Sequence, residues 1–160
     1  FWHVLGAQWT SIEALRLDKF LLLVRRVFAA MLKLAVDGGD EARATVVDVC
    51  REYVFDGEGG PSGLGILPLG LRLHVLDLWV DELERAGVLG EDKCEVMVKD
   101  MGDMVEALRR NGVKPVRERA KDCYDDERLP WGTKAESMDE DEDEEAGDDE
   151  DEDGWGGIDD

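Results

Sequence analysis

Apolar positions recur along this chain at the spacing of helices. Over residues 9–33 and just beyond, Leu17, Phe20, Leu21, Val24, Val27, Phe28, Met31 and Leu34 fall on one wide arc, the i, i+3, i+4, i+7 pattern of a face that packs on other helices. Thr10 and Glu13 fit a capping box with Trp9 just ahead of it, which predicts a helix start within two residues of Ser11. Beyond the edge of the apolar arc, Lys19, Arg26 and Lys33 repeat every seven residues and stack on one flank, with Arg16 close by. Leu22 and Leu23 interrupt the polar side. One helix therefore offers a core stripe and a basic, partly apolar outer surface.

A stop and a new start follow at Asp37-Gly-Gly-Asp40, after which Val46, Val47, Cys50, Tyr53 and Val54 mark a second helix. The two are expected to form an antiparallel hairpin. Residues 57–65 hold five glycines and a proline, a connecting loop. Pro68 opens a third helix with Leu73, Val75, Leu76, Trp79, Val80 and Leu83 on one side and His74, Asp77, Asp81 and Glu84 on the other, and Gly87 ends it. A fourth runs over residues 91–110, with Cys94, Met97, Val98, Met101, Met104, Val105 and Leu108 inward and Asn111-Gly112 as its stop. No segment alternates with a period of two, so no sheet is expected. The pattern predicts an all-α fold of stacked antiparallel helical hairpins with HEAT-like, α-solenoid character. It divides into a helical domain over 1–125, a linker over 126–135 and an acidic tail over 136–160.

Charge sharpens that division. Of 40 Asp and Glu, 16 lie in residues 136–160 beside no Lys or Arg, so 24 face all 19 basic residues elsewhere and the body carries only −5 of the formal −21. The tail has too little apolar surface to offset the entropy of ordering and reads as disordered. Residues 109–121 are the opposite extreme: Arg109, Arg110, Lys114, Arg117, Arg119 and Lys121 stand against the single acid Glu118. Three cysteines, Cys50, Cys94 and Cys123, are odd in number and lack a CxxC pairing, which argues against a disulfide framework and a zinc site and for a reducing intracellular compartment. Arg25, Arg26 and Lys33 break the one candidate membrane span, and no secretory leader is recognisable. A first residue of Phe and immediate helix signals read as the middle of a domain, so a fragment of a longer protein is expected.

Two stretches carry a resemblance. Trp9-Thr-Ser-Ile-Glu-Ala-Leu-Arg-Leu-Asp-Lys-Phe20, continuing to Arg25-Arg26, and Gly70-Leu-Arg-Leu-His-Val-Leu-Asp-Leu-Trp-Val-Asp-Glu-Leu83 together resemble the eukaryotic nucleolar ribosomal RNA processing protein one family. The likeness covers roughly the first 90 residues, with Leu21 where that family usually has an aromatic and Trp79 where it has a tyrosine. It implies a non-enzymatic factor of the nucleolus that works in assembly of the large ribosomal subunit, docking on precursor rRNA, on pre-60S particles and on other assembly factors. It also implies that the domain's earlier helices lie outside this chain.

The residues suit that role. Lys and Arg on a rigid helix neutralise phosphates with release of counterions, which makes Arg16, Lys19, Arg26, Lys33 and the cations of 109–121 candidates for RNA or partner contact. Leu22 and Leu23 suit a protein partner. The bland alternative is a solvated flank paired with nearby acids. Asp18 and Arg25 are expected in salt bridges to a neighbouring helix. His74, Asp77 and Asp81, spaced i, i+3, i+7, lack a fourth ligand for a structural metal; with Glu84 they suit docking of a partner's basic tail. No nucleophile and base pair, phosphate loop or paired carboxylates support catalysis, and no cofactor, membrane or small-molecule substrate is expected. The rival class is an acidic chaperone of histones or ribosomal proteins, in which the tail is the active element and Gly154-Trp-Gly-Gly-Ile-Asp a short docking motif.

Overall fold

The computed structural model describes residues 1–56 and 67–132, and among these every regular element is helical. The elements are α1 (Trp2–Gln8), α2 (Leu17–Asp37), α3 (Asp40–Val49), α4 (Leu69–Arg85), α5 (Glu95–Leu108) and α6 (Lys114–Tyr124). Helix α3 runs on through a wide π turn, Cys50–Val54, which brings Cys50, Val54 and Phe55 all into the core. The glycine-rich loop and the acidic tail lie outside the described residues.

The start of the first predicted helix needs correction. Trp9–Ser11 and Ala14–Arg16 are single 3-10 turns, the backbone between them is extended at Ile12 and Glu13, and α2 begins at Leu17. Thr10 makes no capping bond, and Glu13 instead pairs with Arg16 at 3.3 Å. A cap is worth about 1 kcal/mol, whereas burying a large apolar side chain is worth about 1.5–3 kcal/mol. Trp9 and Ile12 both pack on the core, and the extended step that seats them outweighs the cap. The buried arc is also rotated: Val24, Phe28, Leu32 and Ala35 are fully buried, while Leu34 is 55% exposed. Helix α1 explains the rotation, because it seats Trp2 beside Met31, with the indole N–H 3.4 Å from the Met31 Sδ.

The other boundaries follow local chemistry. Pro68 is the N-cap of α4, and Gly87 takes the left-handed conformation (φ +73°) just past its end. Helix α5 is shorter than expected, since residues 88–94 form two 3-10 turns before Glu95. Pro115 sits in the first turn of α6, where its missing N–H costs nothing.

Packing closes a ring. Helix α2 packs on α3 and α4, α4 on α6, α6 on α5, and α5 on α3. The α2 and α3 hairpin is present, joined by Gly38-Gly39 and held by Arg43, which donates to the carbonyls of Ala35 (3.2 Å) and Gly38 (3.0 Å). Helices α4 and α5, successive in the chain, make their principal contacts with other helices. Helix α4 is buried on almost every side, and Trp79 at its centre meets Phe55 edge to face at 5.9 Å. The ring extends past residue 125: Leu129 is buried, and Trp131 lies over Gly102, stacks on Tyr124 at 5.3 Å and donates its indole N–H to the Tyr124 carbonyl.

One charged contact ties α2 to α4. Glu82, 2% exposed, accepts from Arg25 Nε at 2.5 Å and lies 3.3 Å from Arg85. Arg25 thus makes the expected interhelical bridge. Asp18 makes none among the described residues and lies exposed in the first turn of α2, where a carboxylate meets the positive end of the helix. Removing Arg25 leaves the buried Glu82 carboxylate with Arg85 as its remaining cation, at the longer distance of 3.3 Å. Arg25→Ala should therefore destabilise the fold by about 3 kcal/mol in urea titration, while Arg26→Ala, one position on and exposed, should change it by less than about 0.5 kcal/mol. Equal effects would show that the bridge does not hold α2 in place.

Candidate binding surface

Neighbouring residues on a helix are about 100° apart, so turning Arg25 inward onto Glu82 turns Lys19, Arg26 and Lys33 outward. All three are exposed, and none has an acidic partner among the described residues. Leu22 and Leu23 lie between them, 48% and 42% exposed. Arg16 stands at the N-terminal edge of this surface, in the turn before α2, and pairs with exposed Glu13.

The cations of residues 109–121 divide differently. Arg109 lies 5.4 Å over the Tyr124 ring and 4.0 Å from Asp125. Lys114 pairs with Glu118 at 3.5 Å, one helical turn on. Arg117 donates to the carbonyls of Asn111 (2.8 Å) and Gly112 (3.0 Å), closing the turn into α6. Arg119 pairs with Asp77 on α4. Arg110 and Lys121 stay exposed with no acidic partner among the described residues.

The acidic side of α4 is occupied from within the chain. Asp77 holds Arg119, while Asp81 and Glu84 both hold Arg128, at 2.9 and 2.7 Å. Arg128 also grips Asp126 and keeps that carboxyl below the usual carboxylate range. His74 turns away from this group: its Nε2 lies 3.1 Å from the Leu21 carbonyl on α2. His74, Asp77 and Asp81 therefore do not converge, and no cluster of metal-ligating side chains occurs among the described residues. Sequence reasoning passed over Arg128, although Leu129 and Trp131 beside it were an apolar signal that the folded part continues.

The thiols of buried Cys50 and half-buried Cys123 are poor nucleophiles. Burial pushes Cys50 up to about 12 and Cys123 up to about 11, so neither is appreciably ionised at neutral pH. No described helix is long and apolar enough to cross a membrane.

The described residues form an all-helical domain with a row of exposed cations on α2 that have no acidic partner among the described residues. The family model described as "Nucleolar protein, Nop52" matches residues 1–156. The chain belongs to that family. It is 34% identical over 89 residues to ribosomal RNA processing protein 1 homolog B of Homo sapiens, a match covering 54% of this chain and 11% of that protein. Human homolog A is 32% identical over 87 residues, covering 54% and 18% respectively, and Mus musculus homolog A is 30% identical over 87 residues, covering 54% and 17%. The matched part thus spans less than a fifth of each relative.

His74 generates a pH dependence. Burial, together with the positive field of Arg25, lowers its pKa from the ordinary 6.5, against the opposing effect of its bond to the Leu21 carbonyl. The unfolded chain then takes up the proton first as pH falls. Stability is complete above about pH 6.5, declines below it, and levels off once the folded state also protonates. His74→Gln should flatten the urea-unfolding free energy as pH falls below about 6.5; an unchanged profile would remove His74 as its source.

Proposed function

We propose that this chain is a non-enzymatic helical scaffold that acts in ribosomal RNA processing, docking in the nucleolus on large-subunit precursor particles through precursor rRNA and partner assembly factors. Membership of a nucleolar family and relatives named for ribosomal RNA processing support the setting. The observation that carries the docking role is the stripe of Lys19, Arg26 and Lys33: exposed, without acidic partners among the described residues, and fixed on the longest helix described here, 21 residues. A rigid row of cations binds phosphate through counterion release, independently of base sequence. Arg110 and Lys121 extend the same chemistry, whereas Arg109, Lys114, Arg117 and Arg119 serve mainly to assemble α5, α6 and α4. Asp77, Asp81 and Glu84, already holding arginines of this chain, would bind a partner's basic tail only by exchanging those contacts.

Lys19→Glu combined with Arg26→Glu should weaken association with pre-60S particles in sedimentation, and should lower the log–log salt slope for a model RNA by about 1 to 2, with unchanged far-ultraviolet circular dichroism. Full association at an unchanged slope would defeat the proposal. Deleting residues 136–160 should leave particle association in place. Its loss would instead favour the acidic chaperone, in which the tail does the binding.

A further inference from the structure

Beside the cationic stripe runs a second feature of different chemistry. Helix α1 and the start of α2 enclose a groove of about 470 Å³ walled chiefly by Phe1, Val4, Leu5, Ile12, Phe20 and Leu23, with the paired Glu13 and Arg16 at its rim. Val4 is 63% exposed and Leu23 42%, although α1 is firmly seated by buried Trp2 and Leu5. Leu23 belongs to both surfaces. It stands four residues after Lys19 and three before Arg26, the two spacings that make helix neighbours, so the apolar wall and the unpaired cations share a border.

That border selects the ligand. A phosphate backbone is served by the stripe but gains nothing from the aliphatic side chains that make up most of the wall. Of the two rings that line the groove, Phe20 is half-buried and Phe1, 48% exposed, is set edge to face against Trp2 at 5.2 Å. A helix or extended segment carrying an apolar row with Asp or Glu along one side satisfies both surfaces at once: the apolar row fills the groove, and the acids meet Lys19 and Arg26. We infer that the α1–α2 groove is a docking site for an acidic, amphipathic segment of a partner protein. This contact shares Lys19 and Arg26 with the phosphate contact proposed above and differs from it in depending on Val4 and Leu23.

The test uses the full chain and a fluorescein-labelled synthetic helix of about 18 residues, with leucines at i, i+3, i+4 and i+7 and glutamates elsewhere, read by fluorescence anisotropy. Two exposed positions are changed, Val4→Glu with Leu23→Glu, and circular dichroism verifies the fold. The expected result is binding of this peptide over a scrambled one of the same composition, weakened about tenfold or more in the double variant, while affinity for a model RNA is retained. Equal binding of ordered and scrambled peptides, or an affinity indifferent to the two substitutions, would overturn the assignment. So would an RNA that displaces the peptide and is itself weakened by the double variant. A peptide of residues 139–160 that binds the groove more tightly than the probe, or a dimer of the chain that the double variant dissolves, would overturn it too, by giving the groove to the chain itself.

Discussion

The Glu82 carboxylate is taken almost completely out of water inside a helical ring, and the positions of α2 and α4 follow from how that burial is offset. Arg25 reaches it from α2, and Arg85 from one turn along α4. A buried carboxylate is tolerated only where cations and hydrogen bonds replace its hydration. The two donors differ in what they constrain: Arg85 belongs to the same helix as Glu82, so only Arg25 sets one helix against another. Because side chains on a helix share one rigid rotation, anchoring Arg25 inward sets the azimuth of all of α2. The same contact that closes the ring therefore aims Lys19, Arg26 and Lys33 at solvent.

Helix α4 is the element around which this closure happens. It is buried by α2 on one side and α6 on the other, and its acidic positions are spent on arginines from later in the chain, Arg119 and Arg128. Exposed pairs of this kind are individually worth little. Arg128 is different in kind, because three carboxylates from two segments converge on one guanidinium, which fixes the approach of residues 126–132 to α4. With Leu129 buried and Trp131 stacked on Tyr124, those residues are part of the ring. The internal use of Arg109, Arg117 and Arg119 leaves Lys19, Arg26 and Lys33 on α2 as an exposed row of cations without acidic partners among the described residues.

How far the fold could be read from sequence depended on whether the deciding contact was local. Helix α4 was legible because Pro68 and Gly87 mark its ends through their own backbone geometry. The all-α class was legible because period and apolar content agree over several turns. The start of α2 was not: Thr10 and Glu13 carry a valid capping pattern, but the outcome turned on Trp9 and Ile12 finding the core, a contact with residues distant in sequence. Helix α6 was seen only as a run of cations, since Val116 and Ala120 are its sole fully buried positions and give too narrow an apolar stripe to announce a helix. For the candidate site, the exposed stripe with Leu22 and Leu23 could be read from helical phase alone. That Asp77, Asp81 and Glu84 are occupied could not, because Arg119 and Arg128 lie some forty residues away in the chain.

The remaining question is why one helix should carry cations and apolar groups on adjoining strips. Charge attracts at long range but discriminates weakly, since any polyanion satisfies Lys19, Arg26 and Lys33 within a screening length of about 8–10 Å. Apolar contact acts only at touching distance and rewards shape. In a crowded setting rich in RNA, a purely cationic helix face would be satisfied by whatever phosphate lay nearest, and a purely apolar one would have slow, unsteered encounters. In the docking we propose, joining the two at Leu23 would let the stripe gather a ligand and let the groove reject those with no apolar row to insert. The rigidity that this division requires comes from the buried Glu82, which holds α2 against α4, and from Trp2, which seats α1 on α2 at Met31.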